Sequence, residues 1–141
     1  MEIVRAVMSA PGLREEIMNK EDYEDFQPQN TDDTHWLLLW GDAELLGVYR
    51  LHYLTEVCFI IHANVLPDHW GKDYTDEISQ KVLQWVRTNT EATAIIAFIP
   101  DDCEHVIAHT ERAGFDTGCI MADAIRKDGI TKNLRIMARK I

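Results

Sequence analysis

The spacing of apolar and polar residues changes several times along the chain, and each change marks a predicted element. "THWLLLW", "ELLGVYRLHYL" and "VCFIIHANVL" are runs rich in aromatic and branched residues, the first two separated by the turn-like Gly41-Asp42-Ala43. They read as three successive strands in an antiparallel meander. Ahead of them, residues 2 to 7 alternate like a short strand, and "APGLREEIMNKEDYEDF" opens on Pro11 and Gly12 before an acidic amphipathic helix. Ile78, Val82, Leu83, Trp85 and Val86 recur at helical spacing from about residue 75 to residue 87. "TAIIAFIP" is a continuous apolar run, as in a strand buried on both faces.

"DDCEHVIAHTERAGF" places Val106, Ile107 and Ala113 on one helical stripe that ends at Gly114, and two strands follow, around residues 119 to 124 and 134 to 138. The predicted order is β-α-β-β-β-α-β-α-β-β. That is an α/β (α+β) chain with a mixed, mainly antiparallel sheet flanked by helices. At 141 residues and 46% hydrophobic it suits one compact domain, residues 1 to 141.

Charge and cysteine usage narrow the function. A net charge of −10 opposes a nucleic-acid surface, which needs clustered Lys and Arg. The one basic group, Lys127 with Arg135, Arg139 and Lys140, is modest. Cys58, Cys103 and Cys119 lack the close spacing of a zinc knuckle or redox pair, and His35, His52, His69 and His105 have no metal-ligand spacing, so no metal is expected. "MEIVRAVMSA" lacks a signal-peptide core and no run approaches the ~18 apolar residues of a membrane span. The expectation is a cytoplasmic protein with reduced thiols, away from membranes.

The stretch "VLPDHWGKDYTDEI", residues 65 to 78, poses the chemical question. A strand ends, one glycine follows, and a helix begins, so backbone N–H groups converge where an anion could sit. Yet Asp73, Asp76 and Glu77 crowd that helix start, where they can also serve as caps and dipole partners.

These features resemble the GNAT superfamily of N-acetyltransferases: the element order, the strand ending "NVLP" before a Gly-Lys turn and a long helix, and the later "ERAGF". The resemblance covers most of the chain and is most specific from 59 to 115. Within the superfamily, "WVRTNT" and "IIAFIPDD" look closest to small acetyltransferase-like proteins of tailed phages, several of them virion or head-assembly proteins. In the superfamily the turn before the helix runs Arg or Gln, two residues, Gly, one residue, Gly or Ala, and cradles the pyrophosphate of acetyl-CoA. Here the resemblance puts that ligand against Val65, Gly71, Lys72, Asp73, Tyr74 and Thr75. Trp70 replaces the Arg or Gln, Asp73 the first glycine and Thr75 the last small residue. A carboxylate next to a pyrophosphate is repulsive by about 1 to 4 kcal/mol at ~4 Å.

In the family's second signature an Asn opens the later helix and a Tyr near its end often protonates the departing thiolate. Those positions fall on Cys103 and Thr110, and a threonine hydroxyl is too weak an acid for the task. His109 or Cys103 could substitute as the acid in principle, but neither has the spacing expected for that role. A general base is sought among the polar residues around the third meander strand, Glu56, His62 and Asn64. His62 and Asn64 share one face with Ile60, and His62 and Glu56 are the candidates.

Two readings stand. In the first, the replaced motifs mark a degenerate GNAT-like protein that no longer holds acetyl-CoA and acts through a protein partner. It would be a structural or assembly factor, in a host cytoplasm or virion if phage-encoded. In the second, the protein is a working acyl-CoA-dependent N-acetyltransferase. The sequence names neither acyl acceptor, partner nor oligomeric state.

Overall fold

The computed structural model describes residues 1–141. Two short helices, α1 (Glu2–Met8) and α2 (Arg14–Ile17), precede the meander β1 (Thr34–Gly41), β2 (Glu44–Thr55) and β3 (Cys58–Val65). The helix α3 (Asp73–Asn89) leads to β4 (Ala94–Pro100), and α4 (Glu104–Arg112) leads to the hairpin β5 (Asp116–Lys127) and β6 (Ile130–Lys140). The six strands form one sheet in the order β1-β2-β3-β4-β6-β5. Only β3 and β4 run parallel, as the helical crossover between them requires.

The main core lies between the sheet and the pair α3 and α4. Ile78, Val82, Leu83 and Val86 of α3 pack with Ile107 of α4 onto Phe59, Ile95, Ala97 and Ile99. Their recurrence at three and four residues is what made α3 legible. The opposite face is covered by α1 and the segment after it, where Val4, Val7 and Leu13 meet Val48.

Three expectations need correction. Residues 2 to 7 form a helix, not a strand: Val4 and Val7, three apart, share one face and are buried together. The alternation there was compatible with either period, and tertiary burial decides it. The long acidic helix is also broken up. α2 spans four residues, Met18 is extended, and a separate 3₁₀ turn covers Lys20–Asp22. That turn is tied to the β5–β6 turn, because the Lys20 N–H donates to Asp128 Oδ1 at 2.8 Å and the Asp128 N–H donates to Asn19 Oδ1 at 2.9 Å. Finally, β4 is buried in alternation rather than throughout. Ile95, Ala97 and Ile99 enter the core while Phe98 and Pro100 line a cavity.

The last two strands run longer than the predicted segments. Asp128 and Gly129 take φ of 49° and 78°, the left-handed pair that closes a tight hairpin. The basic residues nearby are largely paired, Lys132 with Asp102 at 2.6 Å and Arg135 with Asp101 at 2.8 Å, while Arg139 donates to the Ala113 carbonyl.

Gly47 of β2 sits opposite Val65 at the end of β3. A Cβ there would stand 2.8 Å from Val65 Cα and nearer still to the Asn64 carbonyl oxygen, both of them backbone atoms. Gly47→Ala should therefore destabilise the protein by about 2 to 3 kcal/mol in urea unfolding; an unchanged midpoint would show that the two strands yield freely.

Candidate functional site

The parallel ladder between β3 and β4 is short. It joins Cys58, Phe59 and Ile60 to Ala94, Ile95 and Ile96, and then the strands separate. Beyond that point β3 stays bonded to β2, and β4 to β6 as far as Pro100. The facing edges, residues 61–65 and 97–100, are not paired with each other and line a cavity of about 570 Å³. It opens at the carboxyl ends of two parallel strands, where ligands bind in open α/β sheets, and its volume suits an organic ligand. Wall residues from α3 and α4 include Thr75, Ser79, His105, His109 and Arg112.

The start of α3 borders this cavity. Gly71 takes φ of +69°, with open space where a Cβ would stand. Lys72 is the N-cap residue, and no side chain caps the helix. The expected capping by Asp73, Asp76 and Glu77 is thus corrected. Asp73 is exposed, Glu77 pairs with Lys81 at 3.5 Å, and Asp76 reaches across to α4. Thr75 is buried, and its Oγ1–H donates back to the Lys72 carbonyl at 2.6 Å.

A chain of polar side chains joins three elements at the cavity wall. The Asp76 carboxylate lies 3.2 Å from His109 Nδ1 and accepts from Arg112 Nε at 3.1 Å. His109 Nε2 is 2.9 Å from Ser79 Oγ, which is 2.9 Å from the Tyr49 hydroxyl. A carboxylate only accepts, so His109 carries its proton on Nδ1 and Nε2 is the acceptor. Burial holds His109 below the usual histidine range, with Asp76 opposing that shift and Arg112 adding to it. Burial raises the Tyr49 phenol.

The family model for the acetyltransferase (GNAT) domain matches residues 2–116. The chain belongs to this family. Its α+β fold, a six-stranded and mostly antiparallel sheet flanked by helices, is the GNAT fold. A protein assigned as a phosphinothricin N-acetyltransferase superposes with a TM-score of 0.77 at 16% identity, covering 99% of this chain and 91% of that one. The Vibrio cholerae spermidine N-acetyltransferase in complex with CoA and spermine superposes with a TM-score of 0.71 at 14% identity, over 96% and 83%. No curated protein sequence matches the chain.

Of the GNAT site residues expected from sequence, the structure gathers Val65, Gly71, Thr75 and His62 on the cavity wall. Lys72, Asp73 and Tyr74 are exposed beside it; the Tyr74 hydroxyl instead meets His69 Nδ1 at 2.5 Å. Glu56 stands in the exposed β2–β3 turn, at the far end of β3 from the cavity. Thr110 donates to the Val106 carbonyl at 2.7 Å. Cys103 lines the wall, its thiol pushed up by burial and by Asp102 and Glu16. Trp70, which stands at the family's Arg or Gln position and reads from the sequence as a packed or partner-facing aromatic, donates its Nε1–H to the Val65 carbonyl at 2.8 Å, and its ring lies 5.2 Å from that of His105. Tyr49 and Ser79 were not singled out, because a tyrosine and a serine at core spacing carry no pattern that distinguishes them.

His62 lies across from Arg50 in the β2–β3 ladder, its ring 5.3 Å from that of His52. Burial first, then Arg50 and His52, hold it down to about 4. Its Nε2, like those of Arg50 (Nε) and His52 (Nε2), is buried without a hydrogen-bond partner. In the unfolded chain it titrates near 6.5, so as pH falls the unfolded state takes up the proton first. His62 therefore leaves stability intact above pH ~6.5 and erodes it as pH falls towards ~4, by about 3 kcal/mol in all. Urea unfolding of His62→Gln and the parent from neutral pH down to about pH 4 should show a correspondingly flatter profile for the variant. Parallel profiles would mean that His62 is solvated and titrates normally.

Proposed function

We propose that the protein is an acyl-CoA-dependent N-acyltransferase. The observation that carries this reading is the parting of β3 and β4 after three ladder pairs, which opens a cavity beside the uncapped start of α3. The residues present fit the ligand. The parted strand edges offer peptide donors and acceptors to an extended chain bearing amides. Gly71 leaves its space open, and the first N–H groups of α3 face an anion without a competing side-chain cap. Acyl-CoA would supply an activated thioester there; the chain's task is to hold it and ready an amine.

His62 is the wall residue that the resemblance offers for the amine proton. It is neutral at physiological pH and can accept a proton directly or through water, but held down to about 4 it is a weak base there. A second hollow of about 430 Å³ lies beside the cavity, and its charged lining is Glu16, Asp22 and Asp25 with Arg126 and Lys127. The carboxylates outnumber the cations by one, which gives a small electrostatic preference for a cationic amine as acceptor. The spermine and CoA held by the Vibrio cholerae relative agree with that class.

The binding-protein reading, including a role in phage particle assembly through a protein partner, has one structural observation in its favour. Trp70 already occupies the Val65 carbonyl at the end of the β3 edge. Calorimetry with acetyl-CoA separates the two. The acyltransferase reading expects a submillimolar Kd, tightened by Asp73→Asn about fivefold at low salt because one screened charge near the diphosphate is worth ~1 kcal/mol. Absence of binding at millimolar acetyl-CoA would overturn it and leave the partner-binding reading.

A further inference from the structure

We propose that Ser79, His109 and Asp76 form an acyl-accepting triad, giving the protein an esterase-like activity through an acyl-serine. The three side chains have the relation that activates a serine: a hydroxyl on one imidazole nitrogen and a carboxylate on the other. Ser79 Oγ is 2.9 Å from His109 Nε2, and His109 Nδ1 is 3.2 Å from Asp76 Oδ1. The tautomer is fixed, since Asp76 can only accept, and this leaves the Nε2 lone pair directed at Ser79. Arg112 Nε lies 3.1 Å from both carboxylate oxygens of Asp76 and donates to them. The triad is assembled from two helices across the core, Asp76 and Ser79 on α3 and His109 on α4.

Two features set this apart from a polar group merely satisfied in a core. Ser79, His109 and Tyr49 all line the cavity that a substrate would enter. The Tyr49 hydroxyl also stands 2.9 Å from Ser79 Oγ. With Ser79 donating to His109 Nε2, the Tyr49 O–H donates to Ser79 Oγ and so orients the nucleophile, while the oxyanion forms on the substrate's carbonyl oxygen. Ser79 has a competing acceptor, the Thr75 carbonyl at 3.1 Å, but the shorter contact is the one to His109.

The chemistry balances without a further reactant. Ser79 Oγ attacks the carbonyl carbon of an ester or thioester as its proton passes to His109 Nε2. The tetrahedral oxyanion collapses, the bond from carbon to the leaving oxygen or sulfur breaks, and the proton on His109 passes to a basic leaving group or, where p-nitrophenolate or a thiolate departs as the anion, to solvent. Water then attacks the acyl-serine, giving one proton to His109 and the acyl group its new oxygen, and Ser79 leaves with the proton from His109. Asp76 touches no reacting atom and is a positioning residue.

Nothing here depends on CoA binding, so p-nitrophenyl acetate is the probe, and its outcome is distinguishable from the calorimetric one. The expected result is a burst of p-nitrophenolate stoichiometric with protein, one added acetyl group by intact mass, and its location on Ser79 by peptide mapping. Ser79→Ala should abolish both burst and label, and Ser79→Cys, which retains a nucleophile of similar size, should restore labelling at that position. His109→Gln should slow acylation about a hundredfold or more, and Asp76→Asn should slow it while leaving the labelled position unchanged. Acetyl groups only on lysines or on Cys58, Cys103 or Cys119, a label that persists in Ser79→Ala, or no label in a folded parent protein would each overturn the proposal.

Discussion

The brevity of one parallel ladder shapes the rest of this molecule. β3 and β4 share three residue pairs, and each is then committed elsewhere, β3 to β2 and β4 to β6 through Pro100. Twist accumulates between neighbouring strands, so once the ladder stops the two halves of the sheet diverge. What holds them at the closed end is packing: Phe59 and Ile95 are fully buried there beneath Val86 and Leu83 of α3. A longer ladder would close the sheet and remove the cavity. A shorter one would leave the two half-sheets joined only through α3 and the core.

Beneath that opening, α3 and α4 are joined by polar contacts as well as by apolar ones. Tyr49 and Ser79 are buried, and a hydroxyl buried without a partner costs about 1 to 3 kcal/mol. The chain from Tyr49 through Ser79 and His109 to Asp76 satisfies these groups in sequence and ends at a half-exposed carboxylate that Arg112 neutralises. Such a network is costly when partly broken, because each member's partner is left unpaired in a low dielectric. The same dependence fixes the imidazole's tautomer and orientation, which is why a structural tie between two helices can also present an activated hydroxyl to the cavity.

Most of the architecture was legible in the sequence because its periods were long and unmixed. The stripe of Ile78, Val82, Leu83 and Val86 permits only a helix, and the three aromatic-rich runs around Gly41-Asp42-Ala43 permit little but a meander. The N-terminal segment was not legible, because "EIVRAV" satisfies both a period of two and a spacing of three, and only docking of Val4 and Val7 against Val48 distinguishes them. The acidic run failed for a different reason. Its ends are set by side chains of residues about a hundred positions away, Asn19 and Lys20 against Asp128, and no local pattern encodes that. Within the site, the loop after β3 and His62 could be placed from their neighbours along the strand. Ser79 and Asp76 could not, because their meaning comes from His109 on another helix.

The three replacements in the family's phosphate turn weigh differently once their positions are known. Thr75 is buried on the cavity wall, with its hydroxyl turned back to the Lys72 carbonyl, and it leaves the helix start uncapped. Asp73 is exposed at the first helical position, where screening limits its repulsion of an anion to about 1 kcal/mol. Trp70 is the more consequential change. Its indole takes the Val65 carbonyl and closes on His105 of α4, bridging the two sides of the open sheet near the mouth. An extended ligand entering along β3 must displace that bond, whose net worth is about 1 kcal/mol, and move a large aromatic ring. Of the three replacements, Trp70 is therefore the one that takes up a backbone acceptor of the open edge, whereas the acids that dominate the sequence there stand in water or pair elsewhere.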